Sequence, residues 1–506
     1  MNDSRGAHAH CGCDSCTPPP GLTRRTFLSS LAATAVTLPS ALPGLAAAAP
    51  ARPTIAGPGA PRRTLIRGGT VLTMDSVLGE FARADILVED GFIKDVRPDI
   101  SVESAEVIEA GNAVVIPGFV DTHRHMWLGY LKNLLPDGSF GEYQQLVQRQ
   151  LGAQMTPEDV YAANLLSALA AIDSGVTTVL DWSQISNTPA HSDSAISALK
   201  DSGIRAVYAF GNPQAETGRF QDAKYSKFPE DIRRLRSQYF STDDQLVTLF
   251  MAAPTGGVDV ALQSFRLARE VGAPISIHVG MGAAGRSGLL EKLGALGELR
   301  SDTTYIHCCT INDKEWRLIR DTGGTVSISG ITEMLMGHGH PPIQRALDLG
   351  LRPSLSLDVE TTAPNDFFAQ MRTVLAVQKN DVWARRLAGD DKSPDFLKAR
   401  DVLEFATIEG ARANHLAKKV GSLSIGKKAD IVLLRRDLIN VMPMNNAVGA
   451  VVSGMTPQNV DSVLIDGVVR KRHGHLVGVD WGVVSLLAEA AQARNFRRSG
   501  LERRIV

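Results

Sequence analysis

Apolar residues along this chain come in two rhythms. Through its long middle, short apolar runs recur at 175–183 (GVTTVLDWS), 203–211, 245–254, 273–280, 303–310, 324–330 and 352–360, each followed by residues with helical spacing. With AVVIPGFVDTHRH (113–125) they make eight strand candidates. Near-continuous apolar strands alternating with helices over about 300 residues predict α/β architecture, a parallel (β/α)8 TIM-like barrel. The flanks differ. TLIRGGTVLTMDSVLGEFARADILVEDGFIKDV (64–96) and, near the other end, GSLSIGKKADIVLLRRD and VDSVLIDGVVRKRHG carry β-branched runs punctuated by Gly-Gly and Asp-Gly. These are hairpin signals, and they predict one β domain built from both ends of the chain.

The first fifty residues belong to neither rhythm. LTRRTFLSSLAATAVTLPSALPGLAAAAPA pairs Arg24 with Arg25 ahead of an Ala/Leu stretch and small residues suited to cleavage. Residues 1–50 are therefore expected to be a twin-arginine type signal and leader, giving an exported protein, periplasmic or extracellular. If the signal is not read, the protein stays in the cytoplasm. Pro39 and Pro43 break the stretch and argue against a permanent membrane anchor, so no stable insertion is expected once the signal is removed. The upstream HAHCGCDSC could hold a soft metal, yet cleavage would remove it.

Composition narrows the partner. At 506 residues and 44% hydrophobic content the chain fills a large core, and 53 Lys+Arg against 54 Asp+Glu leave a net charge of -1. That balance offers no footprint for nucleic acid or an anionic membrane, so a small-molecule substrate is expected. Cys11, Cys13, Cys16 and the adjacent Cys308 and Cys309 form no disulfide framework.

The chemistry lies where the strand candidates end. In IPGFVDTHRHMW (116–127), His123 and His125 stand two apart and point to one side of a strand. His278 ends the fifth candidate, His307 the sixth and Asp358 the eighth. In a barrel all those ends open onto one face, so four of the chain's 12 histidines and an aspartate converge. Three imidazoles and a carboxylate suit one divalent ion, zinc before ferrous iron, with a water kept and its pKa lowered.

PGFVDTHRH, the histidine of IHVG, YIHCCTI, the aspartate of LSLDV and the closing ATIEGARANHLAKKVGSLSIGKKADIVLL together resemble the amidohydrolase superfamily, in its cytosine deaminase and triazine hydrolase branch. The resemblance runs from about Thr64 to Gly478. It implies a composite β-sandwich from 60–117 and 421–480, a metal-dependent barrel at 118–420 and a C-terminal helical tail at 481–506. It also implies that His123, His125, His278 and Asp358 hold the metal, that His307 polarises the substrate, and that Asp358 shuttles a proton from the nucleophilic water.

Two departures sharpen the expectation. LVTLFMAAP lacks the strand-four lysine of binuclear members, which implies a single ion. In HVGMG, Met281 stands where deaminases of this branch carry a glutamate that protonates the leaving ammonia, and a thioether has no proton to give. The loop SISGITEMLMGHGHPP could supply a substitute acid, Glu333 first, with His338 and His340 beside it and Glu360 beyond Asp358. Trp127, Met281 and His338 are the expected substrate contacts, within an apolar pocket that draws on Tyr130, Trp182 and Met334 to Met336.

The expected function is hydrolysis of a C–N or similar bond, other than a peptide bond, in a small cyclic or aromatic substrate, with a homo-oligomer as the expected assembly. Without the usual acid, a metal-dependent hydration, elimination or cyclisation in specialised metabolism is the alternative. A barrel kept only for binding is a third reading, and the intact ligand set argues against it.

Overall fold

The computed structural model describes residues 63–214 and 228–502. The expected twin-arginine leader, the HAHCGCDSC stretch and residues 503–506 of the expected tail lie outside the described residues. No helix among the described residues is long and apolar enough to cross a membrane.

Five strands open the chain: β1 (Arg63–Leu72), β2 (Glu80–Glu89), β3 (Phe92–Arg97), β4 (Glu106–Glu109) and β5 (Ala113–Pro117). Eight more follow: β6 (Phe119–Arg124), β7 (Val176–Ser183), β8 (Arg205–Phe210), β9 (Val247–Ala253), β10 (Ile275–Val279), β11 (Thr303–His307), β12 (Thr325–Ile328) and β13 (Ser354–Leu355). Four return to the first group: β14 (Ile431–Arg435), β15 (Val460–Ile465), β16 (Val468–Arg472) and β17 (His475–Leu476).

Strands β6 to β13 pair in sequence order, all parallel, into a nearly closed barrel. Closure is made at the residues of greatest interest. His125 N donates to Asp358 O at 3.0 Å, and Asp358 N donates to His123 O at 2.9 Å. Where β12 and β13 are short, buried hydroxyls help the backbone ladder. Thr122 Oγ1 lies 2.6 Å from Ser327 Oγ and 2.9 Å from Ser354 Oγ, and Ser356 Oγ bonds both Ser327 and Ser329. The strand cores read as expected for a sheet covered on both faces: β7, β8 and β9 are buried at every position.

The remaining nine strands form one mixed sheet in the order β17-β16-β15-β14-β5-β1-β2-β3, with β4 also on β1. Strand β1 pairs with β2 along one edge and serves two further partners along the other because it bends. Its first half pairs with β4 and its second with β5, and the change falls at Gly68 and Gly69. Gly68 takes φ +74°, a left-handed conformation that favours glycine, and a Cβ on Gly69 would meet Val115 at 2.6 Å. The sheet also curls back, since Phe92 bridges Lys428 just ahead of β14. Its own core is aliphatic, with Ile66, Ile86, Ile93, Val115, Ile431 and Leu433 all buried.

Sheet and barrel meet through a buried ion pair. Arg205, the first residue of β8, donates from Nε and Nη2 to the two oxygens of Asp430 at 2.8 and 2.9 Å. This contact lies at the N-terminal end of the barrel strands. The opposite end is left for the loops that frame the cavity.

Candidate metal centre and active site

Backbone and buried carboxylates set the positions of the candidate ligands. Asp121 Oδ1 accepts from His123 N at 3.3 Å and from Leu357 N at 3.2 Å, which ties the end of β6 to the residue before Asp358. Asp181 Oδ1 accepts from Met126 N at 3.3 Å, just past His125. Desolvation pushes both carboxyls up to about 7, opposed by the buried Arg124 guanidinium. That arginine stands between the two histidines in sequence and lies 3.3 Å from Asp121. His307, Cys308 and Asp358 take φ of 71°, 57° and 65°, left-handed values uncommon for such residues and concentrated at this one mouth.

The side chains converge as the strand ends required. His123 Nε2 lies 3.1 Å from Asp358 Oδ1 and 3.1 Å from His278 Nε2, and His125 Nε2 lies 3.5 Å from the same aspartate oxygen. His125 Nδ1 donates to Trp182 O at 2.9 Å, which leaves Nε2 as a lone pair facing its neighbours. Burial holds His123 down to about 4 and His278 well below its ordinary value, so these imidazoles are neutral. Burial alone would raise Asp358. Its hydrogen bond to His123 and the surrounding histidines outweigh that and hold it well below the usual carboxylate range.

This donor set fits a divalent ion. Two neutral imidazole nitrogens face each other at 3.1 Å, although a proton shared between them satisfies only one arrangement of the two rings. The ligand atoms of His123, His125 and His278 lie within 4.8 Å of one another, as do those of His123, His307 and Asp358. Strand β9, the fourth of the barrel, carries no lysine.

His307 has a different environment from the candidate ligands. Its Nδ1 lies 3.2 Å from Glu333 Oε1, which also accepts from Ser329 N at 2.8 Å. Its Nε2 is buried, has no hydrogen-bond partner and lies 3.8 Å from Asp358 Oδ2. Burial lowers His307 to about 4 and raises Glu333 well above the carboxylate range.

A cavity of about 550 Å³ opens over these groups, within the usual span for small-molecule clefts. His125, His278, His307 and Asp358 form its floor, and Met281 and His338 also line it. Two expectations change. Trp127 lies on the short turn Met126–Leu128, fully buried in the core below the site, and does not line the cavity. Trp182, at the end of β7 and already among the expected pocket residues, does line it, its ring centroid 4.2 Å from that of His278. Glu333 is not at the cavity surface either: the stretch after β12, expected as a loop, forms the short helix Gly330–Leu335, which places it behind His307, so it reaches a substrate only through that ring.

The rest of the expected pocket also divides. Tyr130 is in the core, Met334 and Leu335 are exposed, and Met336 alone of the three lines the cavity. His340 is exposed and bonds Asp381, while Glu360 is engaged by Lys132 and Ser167. Sequence reasoning missed the polar wall of the cavity, made by Tyr143, Gln144, Gln148, Gln184, Asn212 and Gln214. Scattered carboxamides carry no motif, and only the fold brings them together.

The amidohydrolase family model matches residues 114–470, and the chain belongs to that family. It is an enzyme of the hydrolase class with a metal-binding site. A 5'-deoxyadenosine deaminase of Methanosarcina mazei is 27% identical over 414 residues, 80% of this chain and 91% of that protein. Among solved structures, a zinc-bound adenosine deaminase from Xanthomonas campestris superimposes with a TM-score of 0.73 at 20% identity, over 86% of this chain and 98% of that one. An atrazine chlorohydrolase from Arthrobacter aurescens TC1 complexed with zinc gives 0.71 at 21% identity, over 85% and 99%. These two likenesses describe the fold.

Proposed function

We propose that this protein is a mononuclear zinc hydrolase that cleaves a C–N bond, or a comparable bond to a leaving group, on a small cyclic or aromatic substrate. The convergence of His123, His125 and His278 with Asp358 under one cavity carries the reading. These four residues would hold the ion, which when bound lowers the pKa of a water and so supplies a nucleophile at neutral pH.

The remaining work falls to the chain itself. Asp358, charged and turned toward both His123 and His307, accepts the proton of the attacking water and passes it on. His307 presents Nε2 to the attacked atom and stabilises charge that develops there. Glu333 is a positioning residue: it fixes the ring through Nδ1. Met281 brings no proton to the leaving group, so a strongly basic amine is a poor one here. The reading thus departs from the printed deaminase activity of the relatives.

Turnover in heavy-oxygen water tests the proposal. Label in the product, with release of the leaving group, is expected. An unlabelled isomer or elimination product would replace hydrolysis with the alternative chemistry. We further propose export through the Arg24–Arg25 signal and a homo-oligomeric assembly. Replacement of both arginines by lysine is expected to retain the protein in the cytoplasm, and unchanged export would contradict that part.

A further inference from the structure

The barrel closes at one thin seam. Strands β7 and β8 pair from Thr178 to Ser183, whereas β6 meets the stretch after β13 in a single bridge, Arg124 to Asp358. Strand β13 itself holds only Ser354 and Leu355. The candidate ligands lie on both sides of this seam, with His123 and His125 at the end of β6 and Asp358 across from them. Whatever holds the seam therefore sets the spacing of the ligands.

One side chain of β6 reaches across it. Successive residues of a strand face opposite sides, so with His123 and His125 turned to the mouth, Arg124 points behind them. It is fully buried. Its Nε lies 3.3 Å from Asp121 Oδ2 and 3.9 Å from Glu360 Oε1, and its Nη2 donates to Asn365 Oδ1. Asp121 also accepts from Leu357 N, just before Asp358, and Glu360 stands two residues beyond it. Both sides of Asp358 are thus tied to one guanidinium, on the strand that carries the two histidines.

Stability alone is a weak reason to keep this group. Arg124 Nε and Nη1 are buried and make no hydrogen bond of good geometry, and a well-packed apolar side chain would avoid the cost of burying the charge. A planar fork does what an apolar chain or an ammonium does not: it fixes several acceptors in set directions at once. Resting on the metal-centre reading above, we infer that Arg124 is a positioning residue for the ion, a clasp across the seam that sets the distance from Asp358 to His123 and His125.

Zinc itself is the probe, titrated into the full chain in competition with a chromophoric chelator. Arg124→Lys keeps the charge and loses the fork, and Asn365→Ala removes an acceptor from the far side of the seam. Each is expected to weaken zinc binding about tenfold or more, the usual worth of a group that orients a metal ligand. Cobalt(II) in place of zinc reports the geometry, and its visible bands are expected to shift in both variants.

Arg205→Ala, at the opposite end of the barrel, separates this role from plain support. It is expected to melt earlier than wild type and to hold zinc as tightly. Zinc affinity within about twofold of wild type in both seam variants, with the cobalt bands kept, overturns the inference whatever their melting temperatures. A loss of affinity in Arg205→Ala as large as theirs overturns it too. If Arg124→Lys does not fold, Asn365→Ala decides alone. Wild-type protein that binds no zinc defeats the metal reading and this inference with it, while tight wild-type binding with unchanged seam variants defeats this inference only.

Discussion

Two regions of this protein bury charge and polarity in opposite ways. At the junction of sheet and barrel, Arg205 places two donors on the two oxygens of Asp430, and Asp430 also accepts from Asp466 N at 2.9 Å. The groups answer one another, and the cluster is complete as it stands. At the barrel mouth, His123 and His278 face each other nitrogen to nitrogen, and His307 Nε2 and both nitrogens of His338 lack partners. Left-handed φ at His307, Cys308 and Asp358 adds conformational cost there. A protein keeps such an arrangement where a ligand completes it, so the junction serves stability and the mouth serves chemistry.

Substitutions can separate the two roles. His278→Ala has the largest expected effect: zinc content falls to near zero by elemental analysis and turnover to background, with the fold kept by circular dichroism. Retention of a full equivalent would move the metal elsewhere. Arg205→Ala acts on the other region, where removal of one partner strands Asp430 in the core. A loss of about 3–5 kcal/mol in denaturant unfolding is expected, with zinc per folded chain unchanged. A loss below about 1 kcal/mol would show that the junction is not the staple described here.

Smaller effects probe the mouth more finely. His307→Ala is expected to lower kcat by about 10²–10³ with zinc retained, the usual worth of a group that stabilises developing charge. Glu333→Gln keeps the shape behind His307, and a fall of about 10- to 100-fold is expected from loss of an orienting carboxylate. A fall of about 10⁴ would restore Glu333 as a direct acid, against its place behind the ring.

The smallest effect is one of pH. Burial lowers His307 from 6.5 to about 4 and His338 from 6.5 to about 3. Between these values the unfolded chain binds protons that the folded one does not, so stability rises with pH across the window. The metal-free protein is therefore expected to lose stability as pH falls from about 6.5 toward 4. A flat profile in thermal melts would mean that the two rings are solvated.

The convergence at the cavity floor was legible because strand ends carry it. Once eight apolar runs predict a barrel, His123, His125, His278, His307 and Asp358 must share one face, whatever the intervening helices do. Residues beyond the strand ends were not legible in the same way. Trp127 follows His125 by two positions, yet a turn of three residues buries it, while Trp182 reaches the cavity from inside its strand. Glu333 was expected on a loop over the mouth, but a short helix, Gly330–Leu335, sets it behind His307. The uncharged wall was invisible, since Tyr143 and Gln214 are far apart in sequence and neither belongs to a pattern.

The central claim is one metal ion held by four named residues. Anomalous scattering from crystals of the purified protein, collected on both sides of the zinc absorption edge, tests it most directly. One zinc per chain is expected, bonded to His123, His125, His278 and Asp358, with His307 outside the coordination shell. Two ions per chain, or one ion bound elsewhere, would contradict the account.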